Sequence, residues 1–352
     1  MKVLFVYRYL TLGGVETVLR ARLDGLARLG LEAHAWFFHD LGGRSVFAGQ
    51  EGQVHVGSVA ACSTFLSRGR FDAVATIDTD EVFPLFRGRA ARPRLVVECH
   101  SPYLANIEYL RGLGPFRPAA VFVPSEHQRR IALERVGEGI PVVVVPNPLR
   151  EEFVHDPQPF GAPPPQPVVA WVGRLDDLKN WKGFLDLARL LSRRGVDFEA
   201  WMAGRSTEPG STAELLRYAR QVGVLPRLRW FRALPHERVP AFFDAVRDSG
   251  GVLVSTSKGE SFGMTVAEAM ARGCAVAAPN QPPFTEFVEE GRTGTFFPPT
   301  PEGAAERVAA LLADPARRAE SGRNARESIL ARFAPEVALE TLARELRRIC
   351  GS

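Results

Sequence analysis

The sequence predicts an α/β fold built from two parallel, doubly wound sheets that follow each other along the chain. Three observations lead to this prediction. Short apolar segments alternate with segments of helical periodicity over most of the sequence. A proline-rich stretch near the middle interrupts the alternation, which then starts again. The length of 352 residues also suits two domains of ordinary size.

Six strand-like segments precede the proline-rich stretch and predict a Rossmann-like domain over residues 1–156. They are rich in Val, Ile and Phe and show little alternation, as expected of parallel strands covered on both faces. The segment Val15–Leu29 between the first two has apolar residues at helical spacing. The six strand-like segments are Val3–Tyr7, Glu32–Phe38, Phe71–Ile77, Leu95–Cys99, Ala119–Val123 and Val142–Val145.

Residues 157–167 hold six prolines and predict a stiff linker, because proline lacks the amide donor that a helix or sheet interior needs. A second Rossmann-like domain is predicted over residues 168–334, followed by a basic amphipathic helix over 335–352. Packing back on the first domain is the preferred interpretation of this helix, and a membrane-surface helix is the alternative. The predicted strands of the second domain are Val168–Val172, Phe198–Met202, Leu228–Phe231, Val252–Ser255, Ala275–Ala278 and Thr295–Phe297.

Composition excludes several classes of protein. The net charge of +4 is too small to indicate nucleic-acid binding. The four cysteines are widely spaced and form no CxxC pair, which is typical of reduced thiols and gives no zinc site. No apolar run approaches the roughly 20 residues that span a bilayer, and the apolar start is too short for a signal peptide. We therefore expect a cytoplasmic protein.

A glycine pair, Gly13-Gly14, lies between the first predicted strand and the first predicted helix. Glycines let the backbone approach a ligand, and amides at a helix N-terminus favour a phosphate. An ordinary strand–helix turn explains the pair equally well. The pattern is not GxGxxG, which counts against a dinucleotide-binding enzyme.

His100 directly follows the predicted strand Leu95–Cys99. The carboxyl ends of strands line the ligand crevice in open parallel sheets. A histidine there can donate to a sugar hydroxyl or a carbonyl, although a purely structural histidine is an equally good interpretation.

A third segment, residues 172–183, connects another predicted strand to a helix. It contains Arg174, Lys179 and Lys182, and cations of this kind suit the oxygens of a diphosphate. Surface ion pairs with Asp176 and Asp177 are the alternative. Three of the four lysines of the chain lie in this segment and in the next one.

The fourth segment, residues 257–268, places Glu260 in a Gly-flanked loop and Glu268 about one turn inside a helix that starts near Gly263. The amides of Gly263, Met264 and Thr265 would be free to bind phosphate, while the carboxylates accept from hydroxyls. A ligand that is both polyhydroxylated and diphosphorylated accounts for both features, whereas a solvated glutamate pair does not.

The Gly-Gly loop, the strand-end histidine, GRL…K and ESFGMTVAE resemble, in this order, the family-4 retaining glycosyltransferases of the GT-B fold. VPSEHQ, VVPNPL and the segment AEAMARGCAVAAPN…FTEFVEEGRTGTFF extend the resemblance over essentially the whole chain. It implies two Rossmann-like domains facing a central cleft, the first binding the acceptor and the second a nucleotide sugar.

The resemblance also implies roles for individual residues. His100 would contact the transferred sugar, with Arg174 and Lys179 on the diphosphate and Glu260 on sugar hydroxyls. The nucleobase would lie near Arg232-Ala233-Leu234. The donor-binding set is Gly13, Gly14, Arg174, Lys179, Lys182, Leu234, Glu260, Ser261, Phe262, Gly263, Met264, Thr265 and Glu268, in which Glu268 takes the ribose hydroxyls.

Three positions depart from the family pattern. The loop from Arg174 to Gly183 is longer than usual, so Lys179 and Lys182 compete for one role, and the spacing favours Lys179. Arg232 stands where the family usually has glycine. Pro148 follows Asn147 where Asn-Gly is common.

The resemblance implies transfer of a hexosyl group from a UDP- or GDP-linked sugar to an acceptor hydroxyl, with retention of configuration and no essential metal or other cofactor. The acceptor would be a saccharide, a lipid-linked molecule or a small molecule, in polysaccharide, glycolipid or glycoside biosynthesis. A sugar-nucleotide epimerase of the same architecture and a non-catalytic nucleotide-sugar-binding subunit are the alternatives. Arg87, Arg89, Arg92 and Arg94 also raise the alternative of peripheral contact with the inner face of a membrane.

Overall fold

The computed structural model describes residues 1–87, 93–155, 159–162, 164–204, 210–232 and 234–351. Over these residues the chain forms two compact units. One comprises Met1–Arg150 together with Phe333–Ser352, and the other comprises Glu151–Arg332. Each unit has its own sheet and its own buried apolar core. The predicted α/β class with two Rossmann-like domains is therefore confirmed.

The first unit contains a sheet of seven parallel strands in the order β3-β2-β1-β4-β5-β6-β7. Its helices up to the linker are α1 (Gly14–Arg28), α2 (Val59–Gly69) and α3 (Glu126–Leu133). Apolar side chains on both faces of the sheet are buried, which explains the lack of alternation in the strand sequences. The strands are β1 (Lys2–Leu10), β2 (Glu32–Asp40), β3 (Val54–Val56), β4 (Ala73–Ile77), β5 (Arg94–Glu98), β6 (Ala120–Val123) and β7 (Val142–Val144).

The second unit contains a sheet of six parallel strands in the order β10-β9-β8-β11-β12-β13. Its strands are β8 (Val168–Val172), β9 (Glu199–Ala203), β10 (Leu228–Phe231), β11 (Val252–Val254), β12 (Ala275–Pro279) and β13 (Thr295–Phe297). Its helices are α4 (Glu151–Val154), α5 (Trp181–Arg193), α6 (Ser211–Gln221), α7 (Val239–Asp248), α8 (Met264–Ala271), α9 (Pro301–Ala313) and α10 (Pro315–Phe333), the last of which ends at the boundary between the units.

The last helix, α11 (Pro335–Cys350), belongs to the first unit. Its apolar stripe, which includes Leu339, Leu342 and Leu346, joins the core cluster formed with the first strands. Leu339 packs so closely on Gly25 of α1 that a Cβ atom at that glycine would lie 2.0 Å from Leu339 Cδ1. The helical periodicity of the tail thus serves packing within the unit.

The predicted strands agree with the observed ones to within two residues, except that β1 extends three residues further than predicted, to Leu10, and that β3 was not predicted. This strand has only three residues and lies at the edge of the sheet, so it carries no distinct pattern. In the proline-rich stretch the described residues form neither helix nor strand, and Phe160 packs on Trp201, Phe231 and Phe242 of the second unit. Residues 156–158 and 163 lie outside the described residues.

Candidate functional site

Both sheets reverse their strand order at one point, and most of the predicted site residues lie at or next to these two points. In the first unit the reversal falls between β1 and β4, and in the second between β8 and β11. Loops that leave such neighbouring strands diverge to opposite faces of the sheet and open a crevice at its carboxyl edge.

The loop after β8 carries Arg174 and Lys179 and is fixed by polar contacts. Asp176 accepts the backbone N–H of Lys179 at 2.8 Å and the Arg174 Nε–H at 2.9 Å. Thr256, just after β11, donates to the carbonyl oxygen of Asn180 at 2.9 Å and accepts from Trp171 Nε1 at 3.0 Å. The predicted alternative for Arg174, an ion pair with Asp176, is therefore present, and the guanidinium is also half exposed.

Lys179 and Glu260 lie together, although 81 positions separate them in the sequence. The ammonium of Lys179 is 2.5 Å from Glu260 Oε1, and the Ser257 hydroxyl donates to the same oxygen at 2.7 Å. Glu260 Oε2 has no partner within the described ranges. This arrangement holds a carboxylate with one oxygen anchored and the other able to accept a hydroxyl.

Helix α8 begins directly after this carboxylate. Gly263, the residue before it, has a φ of +92° and provides no side-chain cap for the helix. Among the described residues, the amides of Met264 and Thr265 have no acceptor. Glu268 lies about one turn further along the same helix, as the sequence predicted. Lys179, Glu260 and the α8 N-terminus thus form one polar cluster, which we call the donor-side cluster.

The other predicted donor-binding residues of this unit include Lys182, Ser261, Phe262 and Leu234. Lys182 pairs with Glu214 of α6 at 2.5 Å and lies over the Trp181 and Tyr218 rings, so it is directed away from Glu260. Ser261 is partly exposed and Phe262 is buried against Phe287. Leu234 is partly buried and Arg232 exposed, at the end of β10; Ala233 lies outside the described residues.

In the first unit, Gly13 precedes α1 and Gly14 is its first residue. A Cβ atom on Gly13 would lie 2.7 Å from Glu16 Oε2, whereas one on Gly14 would meet no atom of the described residues within 4 Å. Glu16 is buried and accepts the Thr11 N–H at 2.6 Å and the Thr11 hydroxyl at 2.5 Å. Gly13 therefore has a packing reason to be glycine, while Gly14 leaves the helix start open.

His100 follows β5, and its backbone is held by two neighbouring segments. Its N–H and that of Ser101 donate to Asp78 Oδ1 at 2.9 and 3.2 Å. The buried Gln128 donates to the Ser101 carbonyl oxygen at 2.9 Å. Asp78, which directly follows β4, has a φ of +43°, a conformation that Asp tolerates better than most residues. Loops from two neighbouring strands thus fix the position of His100.

The His100 ring contacts a buried ion pair. Nε2 lies 2.8 Å from Glu98 Oε2, and Arg22 Nη1 of α1 is 2.8 Å from both oxygens of Glu98. The side chains of Arg22 and Glu98 are each 1% exposed. A buried carboxylate needs this kind of pairing, because its desolvation in isolation is costly. We call Arg22, Glu98 and His100 the buried triad.

Burial and charge act on the acids of this region in opposite directions. Burial works to raise the pKa of Glu98, but Arg22 and His100 outweigh it and hold that pKa below its ordinary value. For Asp78, burial prevails and raises its pKa, against His100 and the two backbone N–H groups. Burial also raises the pKa of Tyr109, whose hydroxyl donates to the Glu98 carbonyl oxygen at 3.3 Å.

Sequence reasoning missed Arg22, Asp78, Glu98, Ser257 and the loop-fixing role of Asp176. The sequence does carry a signal for Glu98, because an acid inside an otherwise apolar strand must have a partner when it is buried. Arg22 had none, because an arginine in an amphipathic helix is ordinarily exposed. Their pairing depends on how α1 packs on the sheet.

Searches for other kinds of site over the described residues gave two further findings. No group of three or more His, Cys, Asp or Glu side chains is arranged to hold a metal ion. No described helix combines the length and the apolar character that crossing a bilayer requires.

Comparisons of sequence and structure agree on one family. The family model described as glycosyl transferases group 1 matches residues 136–328. The alpha-D-kanosaminyltransferase of Streptomyces kanamyceticus is 28% identical over 186 residues, which cover 52% of this chain and 46% of that protein. A D-inositol 3-phosphate glycosyltransferase of Corynebacterium glutamicum is 30% identical over 172 residues, which cover 48% of this chain and 40% of that protein. The matched part thus spans less than half the length of these relatives.

Among solved structures, Anabaena Alr3699/HepE in complex with UDP and glucose superposes with a TM-score of 0.83 at 19% identity, covering 99% of this chain and 100% of that one. Sucrose-phosphate synthase from Thermosynechococcus elongatus gives a TM-score of 0.80 at 16% identity, with 100% and 99% coverage. These likenesses confirm the GT-B fold class. Since the family model covers more than half of the chain and contains the whole donor-side cluster, the chain belongs to the glycosyl transferases group 1 family.

Proposed function

We propose that the chain transfers a hexosyl group from a UDP- or GDP-linked sugar to an acceptor hydroxyl, with retention of the anomeric configuration. The observation that carries the proposal is the donor-side cluster, in which Lys179, Glu260 and the α8 N-terminus are adjacent. Cations and free amides suit a diphosphate, and an anchored carboxylate suits sugar hydroxyls. Few ligands other than a nucleotide sugar need all three groups side by side.

In the proposed reaction, the bond between the sugar C1 and the diphosphate oxygen breaks and a bond from C1 to the acceptor oxygen forms on the same face. The acceptor proton passes to the departing phosphate oxygen. Negative charge grows on the diphosphate as it leaves, so Lys179, Arg174 and the α8 amides stabilise the transition state more than the ground state. Glu260 orients the sugar, and Glu268 holds the ribose hydroxyls.

We assign the acceptor to the first unit and propose that His100 contacts the transferred sugar. Support comes from the place of His100 after β5, the strand next to the point where strand order reverses, and from the fixed geometry of its backbone. The relative named for D-inositol 3-phosphate supports a small polyhydroxylated acceptor, and the HepE complex with UDP supports a uridine donor.

Nuclear magnetic resonance of the protein with a panel of UDP- and GDP-hexoses tests the function. We expect nucleoside diphosphate to be released faster when a polyol or saccharide acceptor is present, with the donor's anomeric configuration in the product. Release is expected to continue in the presence of a chelator, because no step needs a metal. Epimerised donor without acceptor would instead indicate the epimerase, and a donor that stays intact with every acceptor would indicate a binding subunit.

Peripheral membrane contact is a separate prediction. Arg87 and Arg94 are described, whereas Arg89 and Arg92 lie outside the described residues. Each basic residue near an anionic surface contributes about 1 kcal/mol, so docking should depend on salt. Sedimentation with anionic and neutral vesicles tests this. Pelleting only with anionic lipid at low salt supports docking, and protein that stays in the supernatant throughout contradicts it.

A further inference from the structure

The buried triad contains more than an ion pair that joins a helix to a strand. Arg22 and Glu98 would suffice for that purpose, since both oxygens of Glu98 already accept from Arg22. Glu98 Oε2 also contacts the ring of His100 at 2.8 Å. The other ring nitrogen, Nδ1, has no partner within the described part of the chain. One side of the imidazole is thus anchored in the core and the other side is unpaired.

We propose that Glu98 is a positioning residue that fixes the tautomer of His100, with the proton on Nε2 and an accepting lone pair on Nδ1 turned to the ligand. This inference rests on the proposed function, because it gives His100 its role towards the sugar or the acceptor. An Nδ1 lone pair accepts a hydroxyl proton, and the anchored ring keeps that lone pair in one orientation.

The tautomer of His100 depends on which of the three side chains can donate. A guanidinium only donates, and the Glu98 carboxylate only accepts. The neutral imidazole must therefore donate to Glu98, so its single proton resides on Nε2 and Nδ1 becomes an acceptor. Arg22 contributes by keeping Glu98 ionised, in agreement with the low pKa of that carboxyl.

Glu98→Gln tests this logic because an amide has one accepting and one donating end. Arg22 Nη1 lies 2.8 Å from both oxygen positions, so the amide can turn in either direction, and in one of them its NH₂ group faces His100. The imidazole then has to accept at Nε2, which moves its proton to Nδ1. We expect the inverted tautomer to appear in Glu98→Gln and turnover to fall at least about ten-fold in the molecules that carry it, because the nitrogen turned to the ligand then donates instead of accepting. The other ionisable groups around His100, namely Arg22, Asp78 and Tyr109, stay in place.

The Arg22→Met/Glu98→Gln double variant supplies the rescue. Without the guanidinium, the amide is free to turn its oxygen towards His100, and the original tautomer returns. We expect the double variant to recover most of the lost turnover even if it is less stable. A purely structural ion pair also predicts some recovery when both charges are removed, so the tautomer and not the recovery separates the two accounts.

The decisive measurement is ¹⁵N nuclear magnetic resonance of the histidine rings at alkaline pH, with His100→Asn used to assign the signal. Protonated Nε2 in the native protein and the double variant, and protonated Nδ1 in Glu98→Gln, support the proposal. The same tautomer in all three proteins, or Glu98→Gln turnover within two-fold of native, overturns it. Because the tautomer is measured without substrate, it stands or falls separately from the proposed function.

Asp244→Asn provides a matched control. Asp244 pairs with Arg272 at 2.8 Å in the second unit, and these side chains are as buried as those of the triad. The pair contacts no histidine ring within the described residues. We expect this variant to lower stability while the His100 tautomer and the turnover of the folded protein stay unchanged. A change in the His100 signal here would show that any lost buried charge disturbs the ring.

Discussion

The two crevices occupy equivalent places in their sheets but are built in different ways. The donor-side cluster comes from the loop that carries Lys179 and from the short segment 257–268, and its charged side chains keep some exposure. The buried triad comes from a helix and a strand end 76 positions apart, and its ion pair is almost fully buried. A local segment can carry a recognisable motif, whereas a long-range buried network cannot. The donor-side cluster is thus suited to binding a ligand, whereas the ion pair of the buried triad holds the His100 side chain in place.

This difference has an energetic consequence. Partly exposed charges contribute little to folding, so substitutions in the donor-side cluster should change ligand binding and turnover more than stability. Breaking a buried ion pair leaves an uncompensated charge and costs stability directly.

We expect the largest effect from Lys179→Ala, and a similar one from Arg174→Ala. Each removes a cation that stabilises charge on the departing diphosphate, so the turnover number should fall about 100- to 1000-fold, as for loss of one transition-state donor. Donor affinity should fall much less, because the charge grows during the reaction. Steady-state kinetics and donor-binding measurements on the same variants check this.

Lys182→Ala is the matched comparison for that prediction. Its partner Glu214 is about as exposed as Lys182 itself, and the pair should add less than about 1 kcal/mol to stability. We expect turnover within about three-fold of the native value. If Lys182→Ala lowers turnover more than Lys179→Ala does, Lys182 and not Lys179 is the lysine that binds the diphosphate.

Gly263→Ala should have an intermediate effect. A left-handed conformation costs a non-glycine residue about 1–2 kcal/mol, and the new Cβ atom would lie 2.9 Å from the Phe284 ring. Gly210→Ala is the control, since Gly210 has a φ of +90° and also precedes a helix, but a Cβ atom there meets no described residue within 4 Å. Chemical denaturation should show the larger loss for Gly263→Ala. Equal losses would mean that the Phe284 contact relaxes without cost.

The sequence was sufficient to predict most of the strands and helices and the local position of some site residues. Strand and helix segments followed from apolar patterning, and the place of Glu268 one turn inside α8 followed from helical geometry. The contact of Lys179 with Glu260 did not follow from spacing, because it depends on the adjacency of β8 and β11. The pairing of Arg22 with Glu98 was even harder to predict, because nothing in the helix sequence distinguishes this arginine from an exposed one.

Asp78→Asn should give the smallest effect, and one that depends on pH. Burial raises the pKa of Asp78, so the folded state binds its proton more tightly and loses stability as pH rises from the ordinary value of 3.8 through the raised one. An Asn oxygen still accepts from His100 and Ser101. The stability of Asp78→Asn relative to native should therefore increase from acid to neutral pH. Thermal or urea unfolding at several pH values checks this, and a pH-independent difference would contradict it.

The central claim is that the donor-side cluster and Glu268 hold the nucleoside diphosphate, while the buried triad acts on the sugar or the acceptor. Calorimetric titration with UDP and GDP tests it on Glu268→Ala and His100→Ala. We predict that Glu268→Ala weakens binding by about 1.5–3 kcal/mol, as for a lost charged hydrogen bond, and that His100→Ala leaves affinity within about two-fold of native. Unchanged affinity in a folded Glu268→Ala protein, together with a marked loss in His100→Ala, would contradict the claim.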